Sequence, residues 1–247
     1  MLMSKLKVVD IFSSLQGEGT RVGTPVVFIR LYGCNLECVW CDTKEAWDTE
    51  LTSNNYEEMG IKDIVEYVHR SGLDTVVVTG GEPLARDQEK LVELSEQLFD
   101  MGITTEVETN GSIVPKMGHL FDRYNISPKL SSSGNELYFD KVEEFMEKTL
   151  YAKKQLKFVV AGKEDMEEVI EFLGRKKVKG LMKFVNNDVD TENNIVDIVL
   201  QPEYNSLDMR QLYQLYDYYR RKVAMLREYP YNNIRIIPQT HKTADLK

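Results

Sequence analysis

The chain has 247 residues, 42% hydrophobic and 29% charged, with every aromatic type present; this excludes a disordered, fibrous or low-complexity protein and leaves ample length for one buried core. The 40 acidic against 31 basic residues leave a formal charge of −9, which argues against nucleic acid or an anionic membrane as partner and toward small molecules and proteins. The opening Met1–Asp10 lacks an apolar signal core, and no apolar run is long enough to span a bilayer, so the expected location is the cytoplasm.

The first notable segment is Leu15-Gln16-Gly17-Glu18-Gly19. Gln16 and Glu18 offer amide and carboxylate groups suited to the donor and acceptor edge of a pterin-like ring, and the glycines permit close backbone approach. A strand is expected over Pro25–Tyr32. Arg30 inside its apolar run is costly unless paired, and its planar fork suits a carboxylate, whether from a ligand or from a nearby acid of the protein. Cys34, Cys38 and Cys41 follow in a tight C-x3-C-x2-C loop and are the only cysteines. An odd number so closely spaced excludes a disulfide framework, and one cysteine-bound cluster is the limit. Three thiolates can hold three corners of a [4Fe-4S] cubane and leave the fourth iron open. The alternative is a Cys3His zinc site, for which His69, His119 and His241 are all distant in sequence.

Past the long polar stretch Trp47–Met59, Ile61, Ile64, Val65 and Val68 recur at helical spacing, as do Leu91, Leu94 and Leu98. Between these helices the strand Asp74–Thr79 closes on Thr79-Gly80-Gly81-Glu82-Pro83. Strands Ile103–Glu108 and Tyr124–Ser127 close on Glu108-Thr109-Asn110-Gly111 and Ser127-Pro128-Lys129, which are also sensible turn sequences. Further strands are expected at Gln155–Val160, Gly180–Val185 and Ile234–Ile237. A helix is expected within Leu207–Arg227; its tyrosines, with Tyr229, read as a packing surface or dimer contact. Strand-then-helix alternation without a fixed repeat predicts an α/β fold: an open or partial (β/α) barrel of mostly buried parallel strands, one domain over 1–247, with its motifs along one carboxyl rim.

The cysteine loop, with Trp40 before its last cysteine and Gly-Gly-Glu-Pro downstream, resembles the radical S-adenosylmethionine (SAM) superfamily. The resemblance implies that Cys34, Cys38 and Cys41 carry the cluster and that SAM chelates the open iron and is cut reductively to a 5'-deoxyadenosyl radical. It further implies that Gly81 and Glu82 hold the SAM ammonium, that Ser127 and Lys129 hold its carboxylate or ribose, and that Trp40 contacts adenine or simply covers the cluster. The whole order, from Gln16-Gly17-Glu18-Gly19 through Arg30, the cluster loop, Asp42-Thr43 and the later motifs to Gln239-Thr240-His241-Lys242, resembles the 7-carboxy-7-deazaguanine synthases nearly end to end. Members of that family convert 6-carboxy-5,6,7,8-tetrahydropterin to 7-carboxy-7-deazaguanine with loss of ammonia, a step toward queuosine.

That likeness implies Leu15, Gln16, Gly17, Glu18, Arg30 and Thr79 on the substrate and Thr43 on magnesium. It also implies a homodimer, a reductant such as flavodoxin, and neither nucleic acid nor membrane as partner. Trp47–Met59 and Phe184-Val185-Asn186-Asn187 depart from the pattern. The rival within the superfamily is an activating enzyme that generates a glycyl radical on a partner protein, which gives no reason for Gln16, Glu18 and an in-strand Arg30. A non-catalytic iron–sulfur or zinc module would need no SAM motif. Anaerobically reconstituted protein is expected to bind about four irons per chain, and replacing Cys34, Cys38 or Cys41 by Ala is expected to abolish both iron and SAM cleavage. Full activity with zinc alone would overturn the cluster.

Overall fold

A computed structural model describes residues 4–47, 55–187, 196–227 and 234–244. Among them nine strands form one sheet: β1 Lys5–Leu15, β2 Pro25–Leu31, β3 Glu57–Gly60, β4 Thr75–Gly80, β5 Thr104–Thr109, β6 Arg123–Ile126, β7 Lys153–Val160, β8 Val196–Pro202 and β9 Arg235–Ile236. Their order is β3-β1-β2-β4-β5-β6-β7-β8-β9. Neighbours from β2 to β9 are all parallel, whereas β1 is antiparallel to β2 and β3. The sheet thus ends on two edges and the barrel stays open.

Seven α-helices accompany the sheet: α1 Ile61–Ser71, α2 Gln88–Asp100, α3 Phe139–Lys148, α4 Lys163–Gly174, α5 Lys176–Asn187, α6 Met209–Lys222 and the short α7 Thr240–Thr243. The helical periods in α1 and α2 put Ile61, Ile64 and Val68, then Leu91, Leu94 and Leu98, on buried faces. α6 starts at a capping box, in which the Asp208 carboxylate accepts from the Gln211 amide while Gln211 reaches back to the Asp208 N–H. Its Leu212, Tyr216 and Tyr219 are buried, and Tyr213 and Tyr218 are exposed; Tyr229 lies outside the described residues, as do residues 48–54 of the polar stretch.

One expected strand is a helix. Gly180–Val185 lies inside α5, because the apolar spacing of Val178, Leu181 and Met182 has a helical period and places Val178 and Met182 in the core. The strand of that crossover is β8, Val196–Pro202. β1 and β3 were not anticipated either: they are the antiparallel edge pair, whose polar residues face away from the apolar core.

Alternation along the strands gives the sheet two chemically different faces. Val27, Ile29, Leu31, Val76, Val78, Val107, Tyr124, Ile126, Leu156, Phe158 and Val160 join the helices in the main core. The opposite, concave face carries a small apolar cluster of Phe12, Val26, Phe28 and Val77. The same face also carries Arg30, Thr79, Glu106, Glu108, Gln155 and Lys157, with the apolar Val159 beyond Lys157. Phe12 and Phe28 stack at 5.3 Å between ring centroids.

A different lysine is buried at the start of β7. Lys154 is 1% exposed and donates to the carbonyls of Leu150 at 3.1 Å and Ala152 at 2.6 Å. Burial pulls its ammonium down to about 8, so the unfolded chain binds the extra proton between about pH 8 and 10.5 and stability should rise with pH across that window. Urea unfolding of wild type against Lys154→Met at pH 8 and pH 10 should show that this part of the pH dependence vanishes in the variant. An identical pH dependence would refute the assignment.

Candidate active site

The concave face opens into a cavity of about 530 Å³ at the carboxyl ends of the strands. Leu15, Gln16, Gly17, Glu18, Arg30, Trp40, Thr43, Thr79, Gly81, Ser127, Lys129 and all three cysteines line it. The cysteine loop, the Gly-Gly-Glu turn and Ser127–Lys129 converge there because each follows a parallel strand, whereas Leu15–Glu18 follows the antiparallel β1 and reaches the cavity by folding inward. In the ladder Arg30 stands opposite Thr79, and the Thr79 hydroxyl donates to Glu108 of β5 at 2.9 Å.

The loop after β1 folds inward and is tied at several points. Gln16 donates from its amide to Glu108 at 3.1 Å, and Thr20 donates from backbone and hydroxyl to Gln155 at 2.9 and 3.0 Å. Arg21 pairs with the buried Glu106, and Glu18 pairs with Lys157. The C-terminal segment closes on the same loop. Thr240 donates to the Gly17 carbonyl at 2.9 Å, and Gln239 donates to Glu18 at 3.3 Å. His241 lies 3.7 Å from Glu18 and 3.6 Å from Asp42. A Cβ on Gly17 would meet the His241 Cβ at 2.7 Å, so only glycine leaves room for that closure.

The charges are ordered. Burial works upward on Glu18, but Lys157 and His241 outweigh it and hold the carboxyl below its usual range. Burial pulls Lys157 down, yet Glu18 and Glu108 together raise it. Burial raises Glu108, with the charge of Glu18 adding to it and Lys157 opposing. Burial also pushes Asp42 up, but the hydrogen bond from His241 and the charge of Lys242 hold it well below normal. Lys129 is lowered by burial and by Lys157; its ammonium donates to Ser127 at 3.0 Å and lies 5.5 Å from the Trp40 ring.

Two lining donors are left open. The Arg30 guanidinium approaches Glu45 only at 3.6 Å, and its Nε, like Trp40 Nε1, is buried without a hydrogen-bond partner. Orphaned buried donors in a cavity wall fit ligand acceptors. Glu82 is placed differently from the other expected residues. It is 3% exposed and does not line the cavity; its carboxylate accepts from Thr109 Oγ1 and the Asn110 amide, each at 2.7 Å, and from the Leu84 amide at 3.1 Å.

The cysteine loop is built for sulfur ligation. Leu36 N–H, the Asn135 amide and the Trp47 indole lie 3.5, 3.3 and 3.3 Å from the sulfurs of Cys34, Cys38 and Cys41 respectively. Burial pushes the Cys34 thiol up to about 11 and Cys38 upward too, so thiolates here need a cationic metal centre. Three thiolates in one loop can hold three irons of a cubane. The loop is fastened at its base to the Gly-Gly-Glu turn: Gly81 N–H donates to Leu31 at 3.1 Å and Glu82 N–H to Gly33 at 2.8 Å. A Cβ on Gly81 would fall 2.1 Å from the Gly33 carbonyl oxygen.

Glu108, Lys157, Asp42 and His241 had no assigned role from sequence. Period-two spacing of Gln155 and Lys157 in an otherwise apolar strand was the available signal for the lysine.

Residues 28–179 match the radical SAM superfamily. A 7-carboxy-7-deazaguanine synthase from Pyrobaculum aerophilum is 41% identical over 172 residues, which is 68% of this chain and 73% of the relative. Another, from Aquifex aeolicus, is 32% identical and spans the whole of both chains. Among solved structures, the crystal structure of QueE from Escherichia coli aligns with a TM-score of 0.66 at 25% identity, covering 96% of this chain and 95% of that one.

The two glycines give separable outcomes. Gly81→Ala should displace the base of the cysteine loop and lower bound iron. Gly17→Ala should keep iron but push away the C-terminal segment, seen as faster proteolysis near Gln239 and roughly tenfold weaker substrate binding, in line with a loss of about 1.4 kcal/mol. Equal iron loss in both would contradict this division.

Proposed function

This chain belongs to the 7-carboxy-7-deazaguanine synthase family of radical SAM enzymes, and from that premise we propose that its cavity holds 6-carboxy-5,6,7,8-tetrahydropterin beside SAM and yields 7-carboxy-7-deazaguanine with release of ammonia. The observation that carries this reading is Arg30: a guanidinium on the cavity wall, weakly paired and with an orphaned Nε, beside the cysteine loop. It supplies the bidentate anchor that a pterin carboxylate needs.

When bound, the cluster and SAM supply a radical that takes a hydrogen atom from C6 of the substrate. The chain's own part is to bind, orient and exclude water. Arg30 fixes the carboxylate, while Leu15, Gln16, Gly17 and Thr79 pack along the ring. Glu18, kept ionised by Lys157, accepts from ring N–H groups. Glu108 accepts from the Gln16 amide and the Thr79 hydroxyl, and burial raises its carboxyl at the cavity wall. Trp40, Gly81, Ser127 and Lys129 face SAM, with Glu82 supporting from behind through its bonds to Thr109 and Asn110. Thr43 would give magnesium one oxygen, the others coming from substrate carboxylate and water, since this ion commonly keeps several waters. The reading extends to a cytoplasmic homodimer served by a reductant such as flavodoxin; the exposed Tyr213 and Tyr218 of α6 offer apolar area for a second copy.

The test is anaerobic incubation with SAM, reductant, magnesium and the tetrahydropterin, reading the deazapurine by mass and ultraviolet spectrum. Arg30→Ala should lose a charge-assisted contact worth on the order of a few kcal/mol, hence roughly a hundredfold or more in kcat/KM. Arg30→Lys should recover only part of it, and substrate-free SAM cleavage should persist in both. Normal pterin turnover by Arg30→Ala with a lowered melting temperature would instead make Arg30 a structural partner of Glu45.

A further inference from the structure

Two side-chain N–H groups outside all the motifs above point at sulfurs of the cysteine loop. Trp47 Nε1 lies 3.3 Å from Cys41 Sγ, and Asn135 Nδ2 lies 3.3 Å from Cys38 Sγ. Trp47 follows the loop by six residues, on the cavity wall. Asn135 comes from the far side of the sheet, in the turn after β6 that also carries Lys129.

The Asn135 amide is held in one orientation. Its Oδ1 accepts from the Glu37 N–H at 3.4 Å, and its Nδ2 lies 3.0 Å from Ser133 Oγ. Rotating the amide by half a turn would forfeit the Glu37 contact and the donation from Nδ2 to the Ser133 carbonyl at 3.4 Å, and would set an oxygen lone pair against sulfur. The same turn clasps the loop through the backbone, with Val39 N–H donating to the Ser133 carbonyl at 2.9 Å. Donor and sulfur are therefore fixed relative to each other.

Reduction of an iron–sulfur cluster adds one negative charge, spread largely over its sulfurs. Hydrogen bonds to those sulfurs favour the more negative state and are among the levers that set cluster potential. We propose that Asn135 and Trp47 raise the reduction potential of the cluster, acting as positioning residues through the sulfurs of Cys38 and Cys41. The inference rests on the cluster assignment above. It makes these two donors part of what allows an ordinary cellular reductant to start turnover.

The test is an anaerobic redox titration of the reconstituted, SAM-free protein, following the reduced cluster by electron paramagnetic resonance. Asn135→Leu keeps the volume and removes the donor; Trp47→Phe keeps an aromatic ring and removes the N–H. Each should retain about four irons per chain and lower the equilibrium constant for reduction by roughly threefold to tenfold, a tenfold change being about 59 mV for one electron. The double variant should fall further than either. Unchanged potentials with iron intact would overturn the proposal. Loss of the cluster from one variant would overturn it for that residue, whose role would then be to hold the loop. A wild-type chain that binds no iron would remove the cluster assignment and the inference with it.

Discussion

Lys157 and Glu18 form an ion pair across the concave face of an open sheet, and the enclosure of the cavity depends on it. One partner sits on β7, the other in the loop that follows β1, on the opposite side of the strand order. An open sheet has no ladder of hydrogen bonds to close it. Here closure is done by side chains: the Glu18–Lys157 pair, Thr20 on Gln155, Gln16 on Glu108 and Arg21 on Glu106. Gln16, Glu106 and Gln155 are buried in these contacts, and a buried polar group left without its partner is costly.

The same pair orders the charges of the cavity. With Lys157 spent mainly on Glu18, burial prevails at Glu108, which stays above the ordinary carboxyl range. The two carboxyls of one chamber are thus shifted in opposite directions, Glu18 downward and Glu108 upward. Asp42 is occupied by His241 and Lys242, so the C-terminal segment is bound to the cluster loop as well as to Glu18. Cavity wall, cysteine loop and chain end form one connected polar network. Preorganised donors and charges of this kind lose little to reorganisation when a ligand arrives.

The Gly-Gly-Glu-Pro turn has a mechanical role alongside any contact with SAM. Its glycines let β4 end against the backbone of Leu31 and Gly33, and its glutamate ties the turn to Thr109 and Asn110 at the end of β5. Three strand ends are thereby locked to the base of the cysteine loop. The position of the cluster is set by backbone hydrogen bonds, which vary little, more than by side-chain packing.

Much of this was legible in the sequence. The cysteine spacing, the Gly-Gly-Glu-Pro turn, the glycine-flanked Gln16 and Glu18, and Arg30 in an apolar strand each break a local rule, and broken local rules mark chemistry. The convergence of the cysteine loop and the Gly-Gly-Glu-Pro turn followed from strand–helix alternation, since motifs that close parallel strands share a rim; that of Gln16 and Glu18 did not, because they follow the antiparallel β1. The wrong strand at Gly180–Val185 came from an apolar run too short for its period to separate helix from strand, and β1 and the edge strand β3 were hidden because they mix polar with apolar residues. What only the tertiary structure decided is pairing: that Lys157 meets Glu18, that Glu82 turns into the protein, that His241 closes over Gly17, and that Asn135 and Trp47 reach the sulfurs. A chain can state which groups are costly to bury, but which distant group satisfies each of them depends on how strands and loops are brought together, and that is fixed only when the sheet has formed.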